Sequence, residues 1–196
     1  MIRDFLIRSF ALSFALSACT PTDSTQNTRQ LAQEMNDHQI KRVTAAQLTS
    51  TVDEWGKAIV DAAQKSLTAE LDKTSGNPGH TAGLCELNGI TAIQNLEKRY
   101  KVHIDLLGAN DVKNPELFPK ERELLDAYLY NAEKKLPQSD NIQPLADTLF
   151  VYNAPVAASS TVCRTCSDSA GLPFVVWRVV FNKREVIRGI DPKKLR

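Results

Sequence analysis

The sequence predicts an α+β domain in which N-terminal helices pack on a small antiparallel C-terminal sheet. Three observations predict it. Helical periodicity fills the first half of the chain after a polar stretch, apolar strand-like runs come last, and neither an internal repeat nor a second hydrophobic segment interrupts that order. At 196 residues and 42% apolar content, the chain is long enough for one domain with a real core.

Periodicity predicts a short helix over Leu31 to Val43 and a longer one opening at Thr44, where Gln47 three residues on completes a capping box. In that second helix Leu48, Val52, Trp55, Ile59, Ala63, Leu67 and Leu71 recur at three and four residues and form one core face. Ser75-Gly76-Asn77-Pro78-Gly79 breaks it. The next helix presents Leu84, Leu87, Ile90 or Thr91, Ile93 and Leu96, with Cys85 near its N-terminal end.

Lys101 to Leu107 alternates Val102, Ile104 and Leu106 against His103, Asp105 and Leu107, as a half-buried strand does. Asn110 to Pro119 reads as a loop. Another helix runs over Lys120 to Leu136 with Leu124, Leu125, Tyr128, Leu129 and Ala132 inward, and Pro137 marks its end. Thr148 to Val156 and Phe174 to Phe181 read as strands, and Asn182-Lys183 turns the chain into a third over Glu185 to Ile190. Trp55 and Trp177 are expected in the core.

The N-terminus sets the compartment. Arg3 and Arg8 precede the apolar run Phe10 to Leu16, which is too short to span a bilayer but fits the h-region of a secretory signal. Leu16-Ser17-Ala18-Cys19 is a lipobox, so residues 1–18 are expected to be removed and Cys19 acylated. Several acyl chains on one residue make a nearly permanent anchor, and the partner is then a lipid bilayer. Thr20, in place of Asp after the cysteine, favours the periplasmic face of the outer membrane in a Gram-negative host. Residues 19–30 are the lipidated end and a polar, flexible tether, and 31–196 the single domain.

Loss of Arg3, Arg8 and Asp4 with the signal leaves 22 basic and 22 acidic residues. That neutral balance, together with export, argues against a nucleic-acid partner. The basic end Lys193-Lys194-Leu195-Arg196 is expected to be a solvated tail near anionic lipid.

Outside the membrane thiols meet oxidising conditions, so Cys85, Cys163 and Cys166 need a chemical role. Four chemistries fit Cys163-Arg164-Thr165-Cys166-Ser167. A c-type haem site needs both thiols and a following His, and position 167 is Ser. A zinc site needs four ligands, with only Cys85 and the scattered His38, His80 or His103 to complete it. A thioredoxin-like pair needs its first cysteine at a helix N-terminus, whereas Ser167 to Gly171 reads as a loop. The fourth is a structural Cys163–Cys166 disulfide pinning the hairpin between the last strands. His103 is expected to share a solvent-facing side with Asp105, and His80 to lie well around the helix axis from Cys85.

Several segments together resemble one family. A long helix through Leu67 to Leu71 leads over a Gly-containing break to Thr81-Ala82-Gly83-Leu84-Cys85. Val102-His103-Ile104-Asp105-Leu106 follows, then Asn114-Pro115-Glu116. Leu149-Phe150-Val151-Tyr152-Asn153-Ala154-Pro155-Val156 comes directly before the Cys-x-x-Cys. In this order they are similar to the c-type haem sensor domains of unknown function, which occur as stand-alone bacterial lipoproteins and ahead of signalling domains such as histidine kinases. The likeness covers roughly residues 45 to 190 and implies a PAS-like sensor architecture. It implies further that Cys163 and Cys166 would hold haem c by thioethers and that Cys85 would face the iron or its pocket. Two departures stand out: Ser167 replaces the ligating His, and Leu106, Leu107 and Lys113 occupy the family's arginine-rich region.

The expectation is therefore a non-enzymatic, lipid-anchored sensing or binding domain of this fold, with haem lost or altered, no cofactor, and a Cys163–Cys166 disulfide. One alternative is a c-type cytochrome with Cys85 as axial thiolate. Another is a thiol-disulfide protein with Cys85 as resolving thiol.

Overall fold

A computed structural model describes residues 28, 30–35, 43–74, 78–168 and 172–191. The signal, Cys19, the tether up to residue 27, His38, the break at 75–77 and the tail at 192–196 lie outside the described residues. The chain divides into two units, residues 1–39 and 40–196. In the first, residues 28 and 30–35 are helical and exposed.

The second unit begins with the long helix α1, Ala45–Lys73. It starts where the capping box was expected: the Gln47 amide donates to Thr44 Oγ1 at 3.2 Å and the Thr44 amide to Gln47 Oε1 at 2.9 Å. Together they satisfy two of the orphan donors of the first turn. The face it buries is Leu48, Val52, Gly56, Ile59, Ala63, Leu67 and Leu71. Gly56 replaces Trp55 on that face for a steric reason: a Cβ at Gly56 would lie 2.4 Å from the Tyr152 ring, so α1 crosses the sheet closely there. Trp55 is displaced to the flank, edge-on to Tyr100 at 5.6 Å.

The single helix expected to carry both Leu84 and Leu96 is two helices, α2 (Pro78–Cys85) and α3 (Thr91–Tyr100). Leu87 and Gly89 between them adopt positive φ (61° and 76°), which reverses the chain and which apolar periodicity does not report. Lys101, also left-handed at φ 53°, closes α3 and sends the chain into β1, Val102–Leu107.

A 3-10 turn, Ala109–Lys113, and helix α4, Pro119–Glu133, follow. Then come β2 (Asn141–Leu145), β3 (Leu149–Pro155), helix α5 (Thr161–Cys166), β4 (Val176–Asn182) and helix α6 (Lys183–Gly189). The four strands form one antiparallel sheet in the order β1-β4-β3-β2. The α+β class is as expected. Strand β2 was not anticipated because Pro144 interrupts it, and an edge strand is where a sheet tolerates proline. The expected third strand over Glu185 to Ile190 is instead α6, because the Asn182 side chain accepts from the Arg184 amide at 2.9 Å and caps a helix.

Both faces of the sheet are covered. Ile104, Phe150, Tyr152, Ala154, Trp177, Val179 and Phe181 point to the core shared with α1. Leu107 and Val176, on the opposite face, pack with Leu117, Leu125, Tyr128 and Phe174. Strand register aligns Asp105, Arg178, Asn153 and Asn141 in one row across that second face. Arg178 spends its guanidinium on Glu121 of α4 at 2.7 Å and on Asp105 at 2.6 Å. Glu121 is nearly fully buried, so this pairing fixes α4 over the sheet while leaving no bare charge beneath it.

Candidate functional site

The sheet and α1 bring the three cysteines of this unit to one place. Cys85 is the last residue of α2 and Cys166 the last of α5, and they share a disulfide with a Cα–Cα separation of 5.3 Å. Cys163, one turn before Cys166, is a free thiol with no exposed surface. The expected Cys163–Cys166 bond is therefore corrected. The reason is local: Cys163 and Cys166, expected in the hairpin between the last strands, lie on one helix, capped by Ser160, whose Oγ accepts from the Cys163 amide at 3.1 Å. Helical neighbours at i and i+3 hold their Cβ atoms about 5–6 Å apart, beyond the roughly 4.5 Å limit of a disulfide. Burial pushes the Cys163 thiol above its ordinary value, with a hydrogen bond to the Val175 backbone acting the other way.

Ser167, where a haem-ligating His was sought, is a structural turn residue. Its hydroxyl donates to the Leu172 carbonyl at 2.8 Å and accepts from the Phe174 amide at 3.1 Å, folding the chain back toward β4. Asp168 beside it accepts from the Ala109 and Asn110 amides at 2.9 and 2.8 Å and so caps the 3-10 turn, leaving no room for a Cβ at Gly108. Nothing in the sequence pattern pointed to this long-range cap.

The residues present do not fit haem c. Thioether attachment needs two free thiols, and Cys166 is bonded to Cys85 while Cys163 is enclosed. The same bond uses Cys85, the thiol that the family resemblance assigned to the iron pocket. The zinc set fares no better. Among the described residues no group of three or more His, Cys, Asp or Glu side chains is placed to hold a metal. His103 lies on the solvent side as expected, between Glu97 at 3.1 Å and Asp105 at 2.9 Å. Asn114, of the Asn-Pro-Glu resemblance, holds a turn: its side chain accepts from the Glu116 amide at 3.0 Å and donates to Asp111 at 3.1 Å.

A cleft of about 470 Å³ opens between α1 and the end of β3. Its floor is Tyr152 and Trp177, both almost wholly buried. The Trp177 indole donates to Gln64 Oε1 of α1 at 2.7 Å, and the Tyr152 hydroxyl donates to Asp140 ahead of β2. Burial first, then the bond to Asp140 and the surrounding negative charge, push the Tyr152 phenol far up, so it stays a neutral donor. Lys57, bound to Asp53 at 2.7 Å, and Asp61 stand along the α1 wall. Ser160 closes the far end, and it is the residue that caps α5. One side chain thus belongs to both the cleft and the cysteine helix. No family model matches this chain, and no curated protein or solved structure matches it.

Proposed function

We propose that this chain is a lipid-anchored sensing or binding domain of the cell envelope, similar in plan to the c-type haem sensor domains but without their haem. The observation that carries this is the Cys85–Cys166 bond, which uses one of the two thiols that thioether attachment would need together with the pocket thiol, while an aromatic-floored cleft remains between α1 and β3. In this reading a small ligand enters between α1 and β3, where Gln64, Asp140 and Ser160 orient it and the buried rings give it an apolar floor. The lipobox ending at Cys19 supports the bilayer anchor in this reading.

The test is the protein purified from envelopes of a host that matures c-type cytochromes. Palmitate labelling that depends on Cys19, no Soret band, and thermal stabilisation by members of a small-metabolite panel are expected. A Soret band with haem-stained mass overturns the haem-free reading. Loss of labelling dependence on Cys19 overturns the anchor.

A further inference from the structure

We infer that Cys163 is the attacking member of an internal thiol–disulfide exchange, giving the domain two covalent states that share Cys166. This does not depend on what the cleft binds. Cys163 and Cys166 lie three residues apart on one short helix, and neighbours at that spacing share a helix face. The disulfide partner of Cys166 comes from a different helix, α2, so its bond is the one a local rearrangement of α5 can exchange.

In the resting state two things hold Cys163 back. Its thiol is enclosed and kept protonated by burial, and the helical turn sets the two Cβ atoms too far apart to bond. Both barriers are removed together when α5 opens. Only six residues form that helix, and the chain is already extended at Ser167 (φ −67°, ψ 131°). Once open, the Cys163 thiol gives its proton to solvent and its thiolate attacks Cys166 Sγ. The Cys163–Cys166 bond forms, the Cys85–Cys166 bond breaks, and Cys85 leaves as a thiolate that takes up a proton. No electrons are gained or lost, so neither oxidant nor reductant is required.

The products differ in structure as well as in bonding. α2 loses its covalent tie to α5, Cys85 becomes a free thiol at a partly exposed helix end, and the Ser160 cap at the cleft is released with the helix it holds. The exchange thereby couples cysteine pairing to the wall of the cleft.

The test uses the full-length oxidised chain in detergent with isotopic iodoacetamide and no reductant, between pH 7 and 9. Digestion with pepsin in acid freezes the pairing before mapping. The label is expected on Cys85 together with a Cys163–Cys166 linked peptide. Its rate should rise about tenfold per pH unit while the attacking thiol is still mostly protonated. In Cys163→Ala the Cys85–Cys166 peptide stays intact and Cys85 takes no label, which separates exchange from unfolding. Label confined to Cys163, label on Cys166, or Cys85 labelled equally in Cys163→Ala each overturns the inference.

Discussion

Cys85 and Cys166 end two short helices 81 positions apart in sequence and tie them together by a single disulfide. The bond closes a loop that contains β1, α4, β2 and β3, so it restrains most of the sheet in the unfolded chain. For a loop of this length the chain-entropy model gives about 4.5 kcal/mol. Replacing both cysteines by Ala should lower stability by roughly 3–4 kcal/mol in urea denaturation. The same loss is expected on reducing the native protein.

Gly56 and Tyr152 meet where α1 crosses the sheet, with no space for a Cβ. Gly56→Ala should therefore cost about 1–3 kcal/mol through displacement of the ring, despite the better helix propensity of Ala. It should also weaken the Tyr152–Asp140 bond. Denaturation compared with Gly83→Ala, where a Cβ meets open space, separates the two effects.

Arg178 and Glu121 join the sheet to α4 with little access to water. Glu121→Gln keeps the shape and removes the charge, leaving Arg178 with Asp105 alone. A loss of about 3 kcal/mol is expected. Arg178→Met together with Glu121→Leu should recover only part of it, because the apolar pair removes the two buried charges but leaves Asp105 without Arg178 and the Phe118 amide without its Glu121 acceptor. A double-mutant cycle in urea measures both.

Tyr128 and Tyr152 both have their phenols pushed up, Tyr152 by burial and then by Asp140, Tyr128 by burial and then by the same carboxylate. Folded pKa values above the ordinary 10.0 mean that the folded state holds these protons more tightly than the unfolded chain. The stability they protect is complete below pH 10 and is lost as the pH climbs past it. Unfolding free energies measured at pH 8, 10 and 11 should fall in that order. Tyr152→Phe should be less stable than the parent at pH 8 but show a shallower alkaline decline.

Much of the fold was legible. Thr44 and Gln47 announced the start of α1, the spacing from Leu48 to Leu71 its buried face, and the alternation from Val102 to Leu107 the first strand. These are short-range signals, carried by periodicity and by one side chain reaching its own helix end. What was missed depends on contacts distant in sequence or on backbone sign. Positive φ at Leu87 and Gly89 divided one expected helix into two, and Pro144 hid an edge strand. At the site, the closeness of all three cysteines followed from a resemblance, but their pairing did not. That pairing depends on Ser160 starting a short helix that carries both Cys163 and Cys166, where a hairpin was expected, and on α2 ending beside it.

The most direct test of the account is a peptic disulfide map, made in acid, of protein expressed in a cytochrome-maturing host. The account predicts one linked peptide joining Cys85 to Cys166 in the resting protein, with Cys163 unmodified. A peptide carrying haem on Cys163 and Cys166, or a Cys163–Cys166 bond as the sole linkage, would contradict it.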